Sequence, residues 1–322
     1  MNPLNEIAAA IRASQTVLIA AHEGPDGDAI GSTLALTLAL REMGKQAVAF
    51  NCDGVPDKLA FLAGSYGLVC QLPAQQRFDL GFVLDAGELR RVRHDMRACC
   101  QVLVNIDHHP CSEDFGDHYW VDTQASATAV LIYRLLRSLN HPLSQPVAEC
   151  LYTAILSDTG SFRYSSANPE AYTVAGELVA VGVDPWRVAG GLYESQEAQR
   201  LRLLALALAT LRLSRCGRIA AISATTDMFA EAQARPEDAD SFVNYPRSIR
   251  GVEVALFFRQ TAEQCYKLSM RSKGLIDVGS LSRELGGGGH HNAAGAELTG
   301  TLPQVQEFVF SRLEPLLAQP DA

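Results

Sequence analysis

Short apolar runs alternate with longer stretches of helical spacing through the first half of the chain. The run 16–21 is apolar at nearly every position, which is typical of a strand buried on both faces of a parallel sheet. We predict strands at 16–21, 46–51, 80–84 and 101–106, and helices at 4–13, 29–43, 126–139 and 146–157. Because strands that alternate with helices form parallel sheets, this half is predicted to be a doubly wound α/β domain.

The pattern changes near residue 190. A long helix is predicted over 194–213, and beyond it strand patterns follow one another directly. We predict strands at 218–224, 252–260 and 264–271 and helices at 278–285 and 303–317. The predicted fold class is α/β: a doubly wound, mostly parallel sheet domain over 1–190, a connecting helix or linker over 191–213, and a smaller C-terminal α/β domain with a mixed sheet over 214–322, with the active site in the interdomain cleft.

Composition and charge narrow the classes of function. The 322 residues carry a formal net charge of −9, which argues against a broad duplex-binding surface but leaves room for a nucleotide in a small positive pocket. The first 12 residues lack a secretion-signal pattern, and the apolar run 201–213 is too short to span a bilayer. The eight cysteines form no CxxC pair, which is typical of reduced thiols. We expect a cytoplasmic protein without membrane or long-duplex partners, with a homodimer left open.

Ligand-type side chains recur where predicted strands and helices end. In chain order they are His22, Asp26, Asp28, Asp85, Asp107, His108, His109 and Asp158. Because ligands of open α/β sheets bind beyond the carboxyl ends of the strands, these side chains are expected to lie close together. One divalent ion rarely needs so many carboxylates, so the pattern predicts two ions bridged by a shared carboxylate.

Parts of this set also have simpler explanations. The turn that contains Asp26 and Asp28 fits Asx hydrogen bonds, with Asp28 capping the following helix. Asp158 fits a polar turn at a helix C-terminus. A carboxylate in that position meets an unfavourable helix dipole, however, and a cation would relieve it. The convergence of the whole set on one sheet edge favours a metal site.

The spacing of these residues resembles that of a known enzyme family. His22-x-x-x-Asp26-x-Asp28, together with Asp85, Asp107-His108-His109 and Asp158, resembles the DHH phosphoesterase family. The glycine-rich run 286–295 resembles the signature of the first type of DHH-associated domain. The layout of two domains with nothing appended is similar to the nanoRNase type, whose members degrade oligoribonucleotides and remove the 3′-phosphate of 3′-phosphoadenosine 5′-phosphate (PAP).

The resemblance implies a centre of two divalent ions, usually manganese. One ion would be held by His22, Asp26 and Asp85, and the other by Asp28, Asp85, His108 and Asp158, with Asp85 bridging. Asp107 would orient a histidine or another ligand by a hydrogen bond, and His109 would contact the substrate phosphate or transfer a proton. The catalytic roles would therefore fall on His109, Asp107 and Asp85. Carboxylates and imidazoles independently fit Mn²⁺, with Mg²⁺, Co²⁺ or Zn²⁺ as alternatives.

The second domain is predicted to bind substrate. Four glycines before His290 would form a flexible loop whose backbone N–H groups approach an anion, although a bare glycine run also fits a linker or a helix C-cap. Arg271 ends an alternating strand pattern and suits a phosphate fork, although strand-end arginines are also ordinary surface residues. The substrate-binding set that the resemblance implies is Arg271, Ser272, Gly287, Gly288, Gly289 and His290.

The implied reaction is hydrolysis of short oligoribonucleotides to 5′-mononucleotides and of PAP to AMP. The same metal site also fits a phosphodiesterase for linear or cyclic dinucleotides, or an inorganic pyrophosphatase with another type of second domain. A nucleotide-binding regulator with an inactive site would lack a ligand position, and every position is present. Two departures from the family pattern, Glu23-Gly24 before Pro25 and Ser282 where alanine is frequent, leave substrate preference open.

Overall fold

The computed structural model describes residues 3–317, and within that range the side chain of His290 lies outside the described part. The chain divides into two compact units, one ending at Ser195 and the other beginning at Gln196. The domain boundaries expected at residues 190 and 213 are not tested by this division and stay a prediction. Within the described residues, no helix is long and apolar enough to cross a membrane.

The first unit is a parallel sheet with helices around it. Its elements are α1 (Pro3–Ala13), β1 (Thr16–Ala21), α2 (Gly27–Glu42), β2 (Gln46–Phe50), β3 (Phe78–Leu84), α3 (Met96–Cys99), β4 (Cys100–Asp107), β5 (His118–Val121), α4 (Thr128–Ser138), α5 (Gln145–Asp158), α6 (Pro169–Val181) and α7 (Pro185–Tyr193), with 3₁₀ turns at Asp57–Leu59, Ser65–Gly67 and Leu89–Val92. The strand order is β2-β1-β3-β4-β5, and each neighbouring pair is parallel.

Strand β1 shows why these sequences form buried strands. Successive side chains of a strand point to opposite faces of the sheet. Val17 and Ile19 join the larger apolar core, whereas Leu18 and Ala20 join a second core on the opposite face. The chain leaves β1 toward β2 on one side and returns to β3 on the other, so the strand order reverses between β1 and β3. Such a reversal opens a crevice at the carboxyl ends of the two strands.

Helices α2 and α5 approach each other closely beside that crevice. A Cβ built on Gly27 would lie 2.4 Å from Cβ of Ser157, and one built on Gly31 would lie 2.6 Å from the carbonyl oxygen of Cys150. Only residues without a side chain allow this contact. The contact brings the start of α2 next to the end of α5, and each of these helix ends carries a predicted metal ligand.

The second unit is a mixed sheet covered by helices. Its elements are α8 (Ala198–Ala209), β6 (Arg212–Leu213), β7 (Ile219–Ala224), α9 (Thr226–Ala232), α10 (Asn244–Arg247), β8 (Val254–Ala262), β9 (Cys265–Ser272), α11 (Val278–Glu284), β10 (Gly288–His290), β11 (Ala293–Thr299) and α12 (Leu302–Leu317), with a 3₁₀ turn at Pro236–Ala239. The strand order is β10-β11-β9-β8-β7-β6. Strands β7 and β8 are parallel, and the other neighbouring pairs are antiparallel.

The predicted α/β class is confirmed: one parallel sheet and one mixed sheet occupy separate units. Two local predictions were wrong. The helix expected over 194–213 spans Ala198–Ala209, because Arg212 and Leu213 instead pair with β7. The glycine run expected as a flexible loop contributes strand β10, since Gly288 to His290 pair with β11. Glycine carries no side-chain pattern from which a strand can be predicted.

Candidate metal centre

The predicted ligands of the first unit come from segments that end at the crevice. His22 directly follows β1, Asp85 directly follows β3, and Asp107 is the last residue of β4. His108 is next in the chain, and Asp158 is the last residue of α5. Since the strands are parallel, their carboxyl ends lie at one edge of the sheet, and the ligands are brought together by the fold rather than by sequence proximity.

The turn between β1 and α2 is fixed by Asp26. Its carboxylate accepts hydrogen bonds from the backbone nitrogens of Asp28 (3.0 Å) and Ala29 (3.1 Å), which makes it the N-cap of α2. The alternative in which Asp28 caps this helix is therefore wrong. Asp28 lies within the first turn and is fully buried. Burial of a carboxylate needs compensation, and the partners of Asp28 supply part of it.

Three overlapping groups of side chains have ligand atoms within 4.8 Å of one another. They are His22, Asp26 and Asp85; Asp28, His108 and Asp158; and Asp85, His108 and His109. The first group contains the three ligands expected for one ion, and the second contains three of the four expected for the other. The shared members make this one continuous cluster of donors.

Asp85 lies in the middle of the cluster. One carboxylate oxygen is 3.7 Å from Nε2 of His22, and the other is 3.5 Å from Nε2 of His108. Nε2 of His108 also lies 3.6 Å from a carboxylate oxygen of Asp158 and 3.8 Å from one of Asp28. Asp85 itself has a φ of 58°, a left-handed conformation that is costly for a residue with a side chain and frequent at functional sites.

Thr128 ties two of the carboxylates to the start of helix α4. Its backbone nitrogen donates to Asp28 (2.6 Å) and its hydroxyl donates to Asp85 (3.0 Å). Asp28 also accepts from the backbone nitrogen of Ala129 (3.0 Å) and the hydroxyl of Ser32 (2.8 Å). Sequence reasoning missed Thr128. A hydroxyl residue at the start of an apolar helix was the available signal, but it is also the ordinary signal of a helix cap.

Asp107 orients the segment that follows β4. One of its oxygens accepts from the backbone nitrogen of His108 (2.7 Å) and contacts Nδ1 of His109 (2.8 Å), and the other accepts from the backbone nitrogen of Gly87 (2.9 Å). Burial would raise the pKa of Asp107, but the hydrogen bonds from His109 and Ser112 outweigh it and hold the pKa at about 2. The same hydrogen bond raises the pKa of His109. These contacts favour the charged form of Asp107 and position the ring of His109.

The electrostatics of the cluster show a surplus of buried negative charge. Burial, reinforced by the charge of Asp28, raises the pKa of Asp85 well above its usual range and that of Asp158 to about 7. Burial also raises the pKa of Asp28. Burial disfavours the charged form of His108, but hydrogen bonding to Asp85 and the surrounding carboxylates outweigh it and raise its pKa to about 10. Each of these raised pKa values favours the protonated form of its group, and protonation reduces the net negative charge of the cluster.

This donor set fits divalent cations. Carboxylate oxygens and imidazole nitrogens converge from several elements, and their protonation would be exchanged for metal binding. A histidine that binds a metal through one ring nitrogen is usually oriented by a hydrogen bond at the other. Such contacts are present here: Nδ1 of His22 lies 2.7 Å from the carbonyl oxygen of Glu23, and Nδ1 of His108 lies 3.3 Å from that of Ala125. The residues of the first unit therefore could hold a metal ion.

In the second unit, the glycine run packs directly against β11. A Cβ on Gly287 would lie 2.2 Å from the carbonyl oxygen of Gly295, and one on Gly289 would lie 2.5 Å from that of Ala293. Gly289 also has a φ of 139°, which residues with side chains rarely adopt. Gly288 differs, because nothing lies within 4 Å of a Cβ built there. Two of the three predicted substrate-binding glycines are thus required by backbone packing itself.

Ser282, a departure from the family pattern, has a structural explanation. Its side chain is buried, and the hydroxyl lies 2.6 Å from the carbonyl oxygen of Gly295 and 3.0 Å from that of Gly288. It therefore contacts both strands of the β10–β11 hairpin from helix α11. An alanine at this position would leave those two carbonyl oxygens without this donor.

The predicted pair Arg271 and Ser272 ends strand β9. Ser272 is buried, and its hydroxyl donates to Glu253 (3.1 Å) and accepts from the backbone nitrogen of Gly274 (3.0 Å). Glu253 also accepts from the backbone nitrogen of Leu275 (2.8 Å). Sequence reasoning missed Glu253, which holds the chain that follows Arg271. Substrate contact by Arg271 and Ser272 stays a prediction, as does that of His290, whose side chain lies outside the described part.

Both units of the chain are similar to known proteins. Residues 16–155 match the model of the DHH family, N-terminal domain, and residues 219–317 match that of the DHHA1 domain. A Thermus thermophilus protein named bifunctional oligoribonuclease and PAP phosphatase NrnA is 33% identical over 94% of this chain and 90% of its own length. An exopolyphosphatase-related protein from Bacteroides fragilis is 30% identical with a TM-score of 0.91, covering 98% of both chains.

The chain belongs to the DHH family, as its motifs predicted. The fold is also similar to that of RecJ from Thermus thermophilus in complex with Mn²⁺, with a TM-score of 0.57 and 15% identity. That match covers this whole chain but 55% of RecJ, and it shows similarity of fold.

Proposed function

We propose that this protein is a phosphoesterase that hydrolyses short oligoribonucleotides to 5′-mononucleotides and PAP to AMP. The observation that carries the proposal is the cluster of ligand atoms around Asp85, which joins two groups of donors at the carboxyl edge of a parallel sheet. The similarity to the protein named bifunctional oligoribonuclease and PAP phosphatase supports the choice of substrates.

Two divalent ions, with Mn²⁺ as the first candidate, are proposed as cofactors. His22, Asp26 and Asp85 would hold one ion, and Asp28, Asp85, His108 and Asp158 the other. When bound, such ions lower the pKa of water and neutralise charge on phosphoryl oxygens. The surplus of buried negative charge in this cluster supports a requirement for cations, because the charged forms of the carboxylates are otherwise disfavoured.

His109 is proposed as the proton donor to the leaving oxygen. Water supplies the oxygen that bonds to phosphorus and releases one proton to solvent. The bond from phosphorus to the ribose 3′-oxygen breaks, and that oxygen takes up a proton. Asp107 contacts Nδ1 of His109 and raises its pKa, which favours the protonated imidazole. Nε2 of His109 would then hold the proton that is transferred. The side chain of His109 is 39% exposed, whereas that of Asp107 is fully buried, so the histidine is the one available to substrate.

The second unit is proposed to bind the nucleotide part of the substrate. Gly288 is exposed and has nothing within 4 Å of a Cβ built there, so an anion could approach its backbone, whereas Gly287 and Gly289 pack against β11. Arg271 supplies a guanidinium group at the end of β9. The DHHA1 match over this unit favours a nucleotide over inorganic pyrophosphate, for which a different second domain is expected.

A cytoplasmic location is also proposed. All eight cysteines are free in the structure, and unpaired cysteines are typical of a reducing compartment. The homodimer stays a prediction.

The test is turnover of four substrates side by side in Mn²⁺: PAP, a 5′-phosphorylated RNA dinucleotide, an RNA of about 24 nucleotides, and pyrophosphate. We expect fast hydrolysis of PAP and the dinucleotide and slow hydrolysis of the other two. A linear dinucleotide cleaved without turnover of PAP would indicate a dinucleotide phosphodiesterase. Fast pyrophosphate hydrolysis would contradict the proposal, and the proposed role of the second unit with it.

A further inference from the structure

The chain turns sharply in a left-handed conformation directly after Asp158. Gly160, Ser161 and Phe162 have consecutive φ values of 57°, 62° and 59°. For residues with side chains, this conformation costs about 1 kcal/mol or more each, and it persists where surrounding contacts determine it. Three left-handed residues in a row next to a candidate metal ligand mark this turn as a specific feature of the site.

Hydrogen bonds and packing fix the turn. The hydroxyl of Thr159 accepts from the backbone nitrogen of Phe162 (3.0 Å), and the carbonyl oxygen of Leu156 accepts from that of Ser161 (2.8 Å). The side chain of Arg163 donates to the carbonyl oxygen of Gly160 (2.6 Å). Phe162 packs against the larger core of the unit. The turn is therefore held in place before any ligand binds.

Four aromatic residues lie at or near this turn and are named here the aromatic cluster: the partly buried Phe162 and the exposed Tyr164, Tyr172 and Tyr193. The rings of Phe162 and Tyr172 are stacked, with centroids 4.9 Å apart and planes 25° from parallel. The hydroxyl of Ser161 donates to that of Tyr193 at 2.9 Å. Tyr164, Tyr172 and Tyr193 are 48%, 56% and 44% exposed. Exposed aromatic side chains from the turn, α6 and α7 thus offer a surface to which a flat apolar group could bind.

The aromatic cluster lies close to the proposed centre. A Cβ built on Gly160 would be 2.4 Å from the ring of Tyr164, so that ring covers Gly160. Gly160 is two residues from Asp158, and consecutive Cα atoms are about 3.8 Å apart, so the two Cα atoms are at most about 7.6 Å apart. Such a distance is comparable with the reach from a 5′-phosphate across its ribose to the base.

We propose that the aromatic cluster stacks against the base of the nucleotide that carries the scissile phosphate on its 5′-oxygen. This proposal rests on the proposed hydrolysis of oligoribonucleotides. Aromatic side chains stack on bases of any sequence, and they do so in proteins that bind single strands. PAP has no nucleotide on that side of the phosphorus, so the cluster would act on the dinucleotide and not on PAP. It would thus determine the balance between the two substrates.

The experiment compares Tyr164→Ala and Tyr172→Ala with the wild-type chain on three substrates: PAP, a 5′-phosphorylated RNA dinucleotide, and the same dinucleotide without its second base. Loss of one stacking partner typically reduces binding about tenfold. We expect each variant to lower the ratio of kcat/KM for the dinucleotide to kcat/KM for PAP about tenfold. Removal of the second base should cost the wild-type chain a similar factor and cost the variants little more.

Matched variants separate stacking from structural effects. Tyr164→Phe keeps the ring and should restore the ratio. Tyr66→Ala removes a tyrosine that is 93% exposed and should leave the ratio unchanged. Tyr66 is a suitable control because it lies near the other end of α2 from Asp28. A Cβ built on the next residue, Gly67, would lie 3.8 Å from the guanidinium of Arg41 in the last turn of α2.

A second readout does not depend on hydrolysis. A dinucleotide with 2-aminopurine as its second base should lose fluorescence on rapid mixing with the wild-type chain, because stacking quenches this base, and should lose much less with Tyr164→Ala. An unchanged ratio, or equal loss on PAP and the dinucleotide, would overturn the proposal. A change of oligomeric state with an unchanged ratio would instead assign the cluster to contact between copies. If the wild-type chain hydrolysed neither substrate, the proposed function would fail, while quenching would still test the stacking.

Discussion

The two candidate binding regions differ in the chemical groups that form them: ionisable side chains in one and glycine backbone in the other. The cluster around Asp85 in the first unit consists of ionisable side chains close together, and Asp28 and Asp85 at its centre are buried. At the β10–β11 hairpin in the second unit, the backbone of Gly287 and of Gly289 packs directly against β11. Neither position has room for a Cβ. The structure of the first region therefore depends on how its charges are compensated, and that of the second depends on close backbone packing.

This difference has an energetic consequence. Buried carboxylates such as Asp28 and Asp85 destabilise the folded chain until a cation or a proton compensates them. Among the described side chains of the hairpin no carboxylate is buried, and the residues from Gly288 to His290 pair with β11. Substitutions in the cluster around Asp85 should therefore affect mainly activity, and substitutions of the packed glycines Gly287 and Gly289 mainly stability.

The largest expected effect is that of Asp85→Asn. Loss of the shared carboxylate should reduce kcat on PAP in Mn²⁺ about a thousandfold or more, because both groups of donors lose a member. In EDTA the melting temperature should not fall, since one buried negative charge beside Asp28 has been removed. Turnover assays and thermal unfolding with and without EDTA measure both effects.

Asp79→Asn is the matched control for this variant. Asp79 lies at the other end of β3, where it accepts hydrogen bonds from the backbone nitrogens of Gln15 and Thr16 (both 2.8 Å), and asparagine retains an acceptor. Its turnover should equal that of the wild-type chain. Substantial residual hydrolysis by Asp85→Asn in Mn²⁺ would show that Asp85 is not shared between ions.

An intermediate effect is expected for Gly289→Ala. Its Cβ would lie 2.5 Å from backbone atoms of Ala293 and Ala294, and its φ of 139° disfavours a side chain. We expect the free energy of unfolding of the second unit to fall by about 2 kcal/mol, roughly thirtyfold in the equilibrium constant. Denaturant unfolding of the full chain, with hydrogen exchange of segment 288–295, measures it.

Gly288→Ala is the control in the same strand. Nothing lies within 4 Å of its Cβ, so the change in unfolding free energy should stay within about 0.5 kcal/mol. Equal destabilisation by both variants would mean that strand propensity, rather than the close approach to β11, explains the glycines.

The smallest effect is expected for Ser282→Ala. Loss of a buried hydroxyl that contacts Gly288 and Gly295 should reduce the free energy of unfolding by about 1 kcal/mol, roughly fivefold. Ser311→Ala, which removes an exposed hydroxyl bonded within α12, should change it by less than about 0.5 kcal/mol. A neutral Ser282→Ala would leave the serine without a structural explanation.

The sequence predicted the first region better than the second. Apolar strands such as Thr16–Ala21 and the polar residues at their ends form local patterns, and the parallel sheet then brings those ends together. The strands Gly288–His290 and Ala293–Thr299 lacked such a pattern, because glycine and alanine carry almost no alternation of polarity. The contacts of Thr128 and Glu253 join residues far apart in the chain, and no local pattern reports them.

The contact between α2 and α5 brings two candidate metal ligands together. Gly27 and Ser157 touch where the helices meet, and their immediate neighbours, Asp28 and Asp158, belong to one group of donors. The separation of these carboxylates therefore depends on how closely a glycine and a serine side chain pack, and neither residue is among the candidate ligands. We expect a larger residue at position 27 to move the two carboxylates apart without removing a candidate ligand.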